Sequence, residues 1–252
     1  MKTTLPKFYL ASQSPRRQTL LNQVGACFEM LLPDLTEDTE ALETALPNEI
    51  PKVYVQRVSS LKAQAALTRR NKRQLESLPI LSADTIVAVE GRILGKPRNQ
   101  QDAQDMLACL SGKTHEVLTA ICLFIPRDLC TTVTSRPKTR RTAQSNETVH
   151  EVRRDSEYCT TQYLGCTVGC AEVSPDGNYY PAVSISQVRF RGLSPEDIQR
   201  YIDSGEPFGK AGAYAIQGRA AEFVEYIAGS YSGIMGLPLF ETAVLLRRFG
   251  LL

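Results

Sequence analysis

Alternation is the feature that most narrows the fold of this chain. Strand-like apolar runs and helix-like segments take turns, punctuated by proline and glycine. Residues 7–11, "KFYLA", predict a short buried strand. "SQSPRRQTLLNQVG" follows, with Ser14 as an N-cap, Pro15 at the first helical position, Leu20, Leu21 and Val24 on one face, and Gly25 as the stop. "CFEMLLPD" reads as a second strand leading into the acidic loop "DLTEDTEALE". Residues 51–70 are helical by pattern, with Val55, Val58, Leu61 and Ala65 on one side. "LPILSADTIVAVEGRIL" predicts a buried strand, a break, another strand and a glycine turn. "NQQDAQDMLACLSGK" is a helix ended by Gly112, and "THEVLTAICLFI" is a long strand by its β-branched and aromatic content. Later, "VSISQVRFRGL" resumes the strand pattern. "SPEDIQRYIDSG" is a helix with Ser194 as N-cap, Pro195 at N1 and Asp197 at N3, and "LFETAVLLRRFGLL" is another. Between them, "EPFGKAGAYAIQGRAAEFVEYIAGSYSGIMGLP" suggests a site-lining loop and a hairpin. This order argues for the α/β class, with no internal repeat.

One segment breaks the rhythm. Residues 127–182 are rich in Thr, Ser and Arg and poor in leucine, which predicts an inserted, partly flexible excursion between two strands of one sheet. It carries Cys130, Cys159, Cys166 and Cys170. "CTTQYLGCTVGC" has gaps of six and three, unlike the paired CxxC of a zinc site. Seven cysteines without an export signal read as free thiols. The net charge of +2 gives no global pull towards nucleic acid or an anionic membrane, so any electrostatic function is local. No apolar run spans a bilayer. The expectation is a cytoplasmic protein with no nucleic-acid or membrane partner.

Three stretches carry chemistry. In "SQSPRR", Arg16 and Arg17 sit at a helix N-terminus, where the backbone field is already positive. That arrangement suits an anion held by both arginines and the Ser12 and Ser14 hydroxyls, although capping alone also explains Ser14 and Pro15. In "SADTIVAVEGRILGKP", Asp84 ends an apolar run and a hairpin brings Lys96 back beside it. The pair suits either a metal-phosphate site or a surface ion pair. In "EPFGKAGAYAIQG", Gln217 both donates and accepts, which suits a nucleobase edge or a solvated loop.

Together these stretches resemble the Maf family, the septum-formation-inhibitor-type nucleoside triphosphate pyrophosphatases. "LASQSPRR", "SADTIV", "GKP", "LSGKTHEV", "SGEPFGKAGAYAIQG" and "GLPL" occur in family order, over residues 7–125 and 184–250. The resemblance implies a single Maf-like domain over residues 1–252, built as a mixed sheet in two lobes with a central cleft, with 127–182 as an insertion. It implies hydrolysis of a nucleoside triphosphate to the monophosphate and pyrophosphate, a Mg²⁺ or Mn²⁺ cofactor, and a common use of homodimers. Arg16, Thr85 and Gln217 match the dTTP/UTP branch rather than the 7-methyl-GTP branch, so the resemblance makes them specificity residues. By the same matching Asp84 is catalytic, Ser12, Arg17, Lys62 and Lys96 hold phosphates, and Glu37 shares the metal with Asp84. A nucleotide-sensing regulator of septum formation with little turnover needs the same cavity. An inosine-triphosphate type is disfavoured by Thr85 and Gln217.

Overall fold

The computed structural model describes residues 6–34, 36–130, 161–163, 166–168 and 171–252. One mixed sheet organises them. Its spine is three long strands: β3 (Ile80–Val89), β5 (Thr114–Pro126) and β9 (Gly177–Phe190). β3 pairs antiparallel with β5 from Ile80↔Phe124 to Ala88↔Glu116, and β5 pairs antiparallel with β9 from Thr114↔Arg189 to Pro126↔Gly177. On the other edge of β3, β1 (Phe8–Leu10) runs parallel to it and β2 (Phe28–Met30) runs parallel to β1. β4 (Arg92–Leu94) folds back on β3 through the Glu90–Gly91 turn. Beyond β9 lie β6 (Thr161–Tyr163), β7 (Cys166–Val168), β8 (Glu172–Ser174) and β10 (Val224–Ala228).

Side-chain alternation along β3 assigns its two faces. The even-numbered face meets α2 (Pro51–Lys72). There Ile80 packs with Ala63, Ala66 and Leu67, while Ile86 and Ala88 pack with Tyr54, Val55 and Val58. Ser82 Oγ donates to the Ser59 carbonyl at 2.8 Å. On the odd-numbered face, Leu81 and Ala83 pack beneath Leu20 and Leu21 of α1 (Pro15–Gln23) and Leu245 and Leu246 of α7 (Leu239–Arg248). Val87 and Val89 pack with Leu107 of α3 (Gln100–Leu110) and with Ile198 and Tyr201 of α5 (Pro195–Asp203). Helices thus cover both faces, as the order of elements in the sequence predicts.

Several local expectations meet a different outcome. The break expected in "LPILSADTIVAV" is absent: Ser82, Asp84 and Thr85 are strand residues whose polar groups find partners on the two flanking layers. Leu61 and Ala65 are half-buried, and the buried stripe of α2 runs instead through Ala63, Ala66 and Leu67. The hairpin expected after Gln217 is not formed. β10 pairs with β9, and the short α6 (Tyr231–Met235) follows. The expected excursion is narrower at its C-terminal side, because Glu172–Ser174 and residues 177–182 join the sheet, while α4 (Arg127–Cys130) extends β5. The rest of it, 131–160 with Cys159 and His150, lies outside the described residues, as do Cys170 and the side chains of Cys130 and Cys166. The Ser194 expectation holds in detail: Ser194 and Asp197 form a reciprocal capping box. Among the described residues no helix is long and apolar enough to cross a membrane.

Candidate active site

The site arises from a gap in strand pairing. On one edge of β3, β1 pairs only as far as Leu81 and β4 begins only at Val87. Between them no strand among the described residues covers that edge, and a cavity of about 460 Å³ opens against it. Asp84 and Thr85 lie in this gap. As neighbours in a strand they point to opposite faces, and the cavity wraps the bare edge to reach both.

On the even face, Asp84 is only 6% exposed, and Lys62 of α2 donates to its Oδ1 at 2.6 Å. Lys62 stands one helical turn from Ala65, with Arg69 further along the same face, and all three line the cavity. The same Lys62 Nζ donates to Glu43 Oε1 at 2.8 Å, and Lys96 Nζ donates to Glu43 Oε2 at 2.9 Å. The hairpin therefore does return Lys96 to the cavity, but the carboxylate it meets is Glu43 rather than Asp84. Burial pushes the Glu43 carboxyl up, yet the two lysines outweigh it and hold the group below the usual carboxylate range. Tyr54 Oη donates to the Glu43 carbonyl at 2.5 Å, and Arg57 donates to the Thr44 carbonyl at 3.0 Å and to both Glu49 oxygens at 2.7 Å. These bonds strap residues 43–49 down on α2, beside the cavity.

On the odd face the centre is Arg17. Its Nε donates to the Gly236 carbonyl at 2.7 Å, Nη1 to Ser12 Oγ at 3.0 Å and to the Ala83 carbonyl at 2.9 Å, and Nη2 to Thr85 Oγ1 at 3.2 Å. Four of its five N–H groups are thus spent on the protein, and the Ala83 carbonyl is one that the pairing gap leaves open. Burial lowers the Arg17 pKa, and the Asp84 charge opposes it. Arg16 Nε donates to the Met235 carbonyl at 3.3 Å. Lys210 also lines the cavity, its pKa lowered by burial and by the charge of Arg16. Ser14 is the N-cap residue of α1 as expected, but its side chain makes no capping bond, so the first amides of α1 keep their donor capacity at the cavity wall. Thr85 Oγ1 lies 2.9 Å from Thr119 Oγ1, and Thr119 Oγ1 donates to the Gly233 carbonyl at 2.7 Å.

Seven of the nine expected site residues line this one cavity: Ser12, Arg16, Arg17, Lys62, Asp84, Thr85 and Lys96. Two do not. Glu37 accepts from Arg69 Nε at 2.9 Å and from Nη2 at 2.6 Å, which, with the Asp34 amide, holds its carboxyl down to about 2. Arg69 is buried in the wall, and Glu37 is spent neutralising it rather than standing beside Asp84. Gln217 is exposed, while its neighbours Tyr214, itself bonded to the buried His115 at 2.8 Å, and Ile216 line the cavity instead. The sequence reading misses Glu43, Thr119, Lys210 and Tyr214. Lys210 and Tyr214 fall inside the quoted "EPFGKAGAYAIQG" and Thr119 follows "LSGKTHEV", so their neighbourhood was signalled. Glu43 carried no signal beyond being one of several acids in a loop.

Among the described residues no cluster of three His, Cys, Asp or Glu forms a ready-made metal cage. The donor set fits a hard divalent cation nonetheless. Asp84 lines the cavity with Oδ2 free of the Lys62 contact, and Mg²⁺-type sites commonly use one or two carboxylates plus phosphate oxygens of the substrate.

Comparison with known proteins gives the family. The profile of the Maf-like protein family matches residues 7–171 and 131–249. The chain is 50% identical over 240 residues to a dTTP/UTP pyrophosphatase of Cupriavidus pinatubonensis, covering 95% of each. It is 51% identical over 243 residues to one of Ralstonia nicotianae, covering 96% of this chain and 94% of the relative. A dTTP/UTP pyrophosphatase of Burkholderia pseudomallei is 48% identical over 242 residues, covering 96% and 93%.

Proposed function

The chain belongs to the Maf-like protein family, and from that premise we propose that it is a nucleoside triphosphate pyrophosphatase, hydrolysing dTTP and UTP to the monophosphate and pyrophosphate. One observation carries the assignment to this site. A buried carboxylate, Asp84, opens onto a cavity lined by Arg16, Arg17, Lys62, Lys96 and Lys210. A polyanion is the ligand that such a wall stabilises.

The triphosphate lies along Lys62, Lys96 and the uncapped amides of α1. Arg17, with one N–H to spare, frames that cradle more than it grips. Asp84 Oδ1 is held by Lys62, and Oδ2 has no protein partner among the described residues. Oδ2 takes a proton from a water as the water oxygen bonds to the α-phosphorus. The bond from the α-phosphorus to the bridging oxygen breaks, and Lys62 and Lys96 stabilise the charge that develops on the departing pyrophosphate. When bound at Asp84, Mg²⁺ or Mn²⁺ supplies further neutralisation of the phosphate oxygens. Base choice falls to the odd face, where Thr85 and Arg16 line the cavity. We assign it to them rather than to the exposed Gln217. A free nucleoside triphosphate substrate supports the reading that the enzyme acts on the cytoplasmic nucleotide pool.

The test is pyrophosphate release from a panel of nucleoside triphosphates, with and without divalent metal, in the wild type and Asp84→Asn. Loss of a general base predicts a fall in kcat on the order of 10²-fold or more with UTP and dTTP. Near-normal turnover by Asp84→Asn would refute the assignment, and hydrolysis of CTP as fast as UTP would refute the account of base choice.

A further inference from the structure

Thr119 lies in the middle of β5, directly opposite Thr85 in the β3–β5 register, and is completely shut off from solvent. Its hydroxyl is 2.7 Å from the Gly233 carbonyl and 2.9 Å from the Thr85 hydroxyl. Each hydroxyl has one proton to give. A carbonyl only accepts, so the Thr119 proton goes to Gly233. A guanidinium only donates, so Arg17 Nη2 occupies one lone pair of Thr85. Among the protein groups around it, the Thr85 proton then has one acceptor, the oxygen of Thr119. Every proton in the run Arg17, Thr85, Thr119, Gly233 is thereby assigned, and all point the same way. What half-buried Thr85 still presents to the cavity is a lone pair.

We propose that Thr119 is a positioning residue for base specificity: by taking the Thr85 proton it fixes Thr85 as a pure acceptor towards the pyrimidine edge. Uracil and thymine carry N3–H, a donor, and satisfy that lone pair. Cytosine carries a lone pair at N3 and meets Thr85 oxygen against nitrogen. A site whose polar group is already committed rejects the mispaired analogue far more strongly than it rejects an extra methyl, so the thymine methyl is tolerated where the cytosine edge is not. The inference rests on the reading that the base lies against Thr85.

The experiment compares kcat/KM for UTP and CTP, by pyrophosphate release, in the wild type, Thr119→Val, Thr119→Ser and Thr85→Val. Valine keeps the volume of Thr119 and removes the acceptor. The Gly233 carbonyl keeps the Gly236 amide at 2.9 Å, so it is not stranded. In Thr119→Val the Thr85 proton is free to turn to cytosine N3, and the UTP:CTP ratio falls about tenfold or more, chiefly by a gain on CTP. Thr119→Ser keeps the hydroxyl and retains the wild-type ratio. Thermal melting establishes that each variant is folded; Thr119→Ala, with the lowered ratio expected of Thr119→Val, replaces that variant if it is not, and Thr85→Ala replaces Thr85→Val. A wild-type ratio in Thr119→Val alongside a collapsed ratio in Thr85→Val overturns the role of Thr119 and leaves the base site standing. An unchanged ratio in both overturns the base site as well.

Discussion

Replacing Glu43 by glutamine should make the enzyme bind nucleotide more tightly. Without substrate, the Glu43 carboxylate bridges the two lysines assigned to the phosphates, at 2.8 and 2.9 Å, and an incoming triphosphate must displace it. Coulomb attraction at such distances, with an effective dielectric near 20, is about 6 kcal/mol per pair before desolvation. That figure is an upper bound: Lys96 is 48% exposed, so solvent screens its pair, and Lys62 is shared with Asp84. A net of about 0.5–1 kcal/mol per pair is the appropriate scale. The two pairs together penalise substrate by about 1–2 kcal/mol, which corresponds to a fall in Kd of roughly 5- to 30-fold on removing the charge. The strap itself survives the substitution, because Tyr54 and Arg57 hold backbone carbonyls of residues 43 and 44. The assay is equilibrium binding of a non-hydrolysable α,β-methylene UTP, with pyrophosphate as product inhibitor in parallel. Both should bind more tightly to Glu43→Gln. Weaker binding with a higher metal requirement and a fallen kcat would mean that Glu43 serves the metal, and would refute the displacement argument.

Two further outcomes follow from the same geometry. Burial holds His115, 1% exposed, down to about 4 from 6.5, so the unfolded chain takes up a proton that the folded one refuses. Its contribution to stability is full above about pH 6.5 and is lost as pH falls towards 4, at up to about 1.4 kcal/mol per pH unit. Urea melts across that window should show the slope, and His115→Gln should flatten it; a wild-type stability that is level from pH 6.5 to 5 contradicts the burial argument. Arg17→Lys cannot reproduce the fork that holds Ser12, Ala83, Thr85 and Gly236 together. It should cost about 2–3 kcal/mol and roughly 5–10 °C in Tm, and an unchanged melting curve would show that the fork is dispensable.

What the sequence made legible was local or periodic. The Ser194 capping box, the α1 and α3 boundaries and the long β5 follow from residue chemistry within a few positions of each other. The pairing gap was not visible, because it depends on where β1 stops relative to where β4 starts, two elements whose register no local pattern states. The polar residues in "SADT" suggested a break because their partners, Ser59, Lys62 and Arg17, come from helices far away in sequence. The same non-locality hid Glu43 and the pairing of Glu37 with Arg69. Each is an acid in one loop, and only the positions of Lys62 and Arg69 along α2 decide which of them faces the cavity.

Placing Asp84 and Thr85 side by side in one strand makes β3 a partition with a differently supported polar group on each side. Lys62 of α2 holds Asp84 from one side, and Arg17 of α1, Thr119 of β5 and, through it, the Gly233 carbonyl of α6 hold Thr85 from the other. On the proposed reading, a substitution behind Thr85, such as one at Thr119, acts on which nucleotide is accepted without touching the Lys62–Asp84 contact. A one-residue insertion or deletion between Leu81 and Asp84 would exchange the two sides and disable both at once.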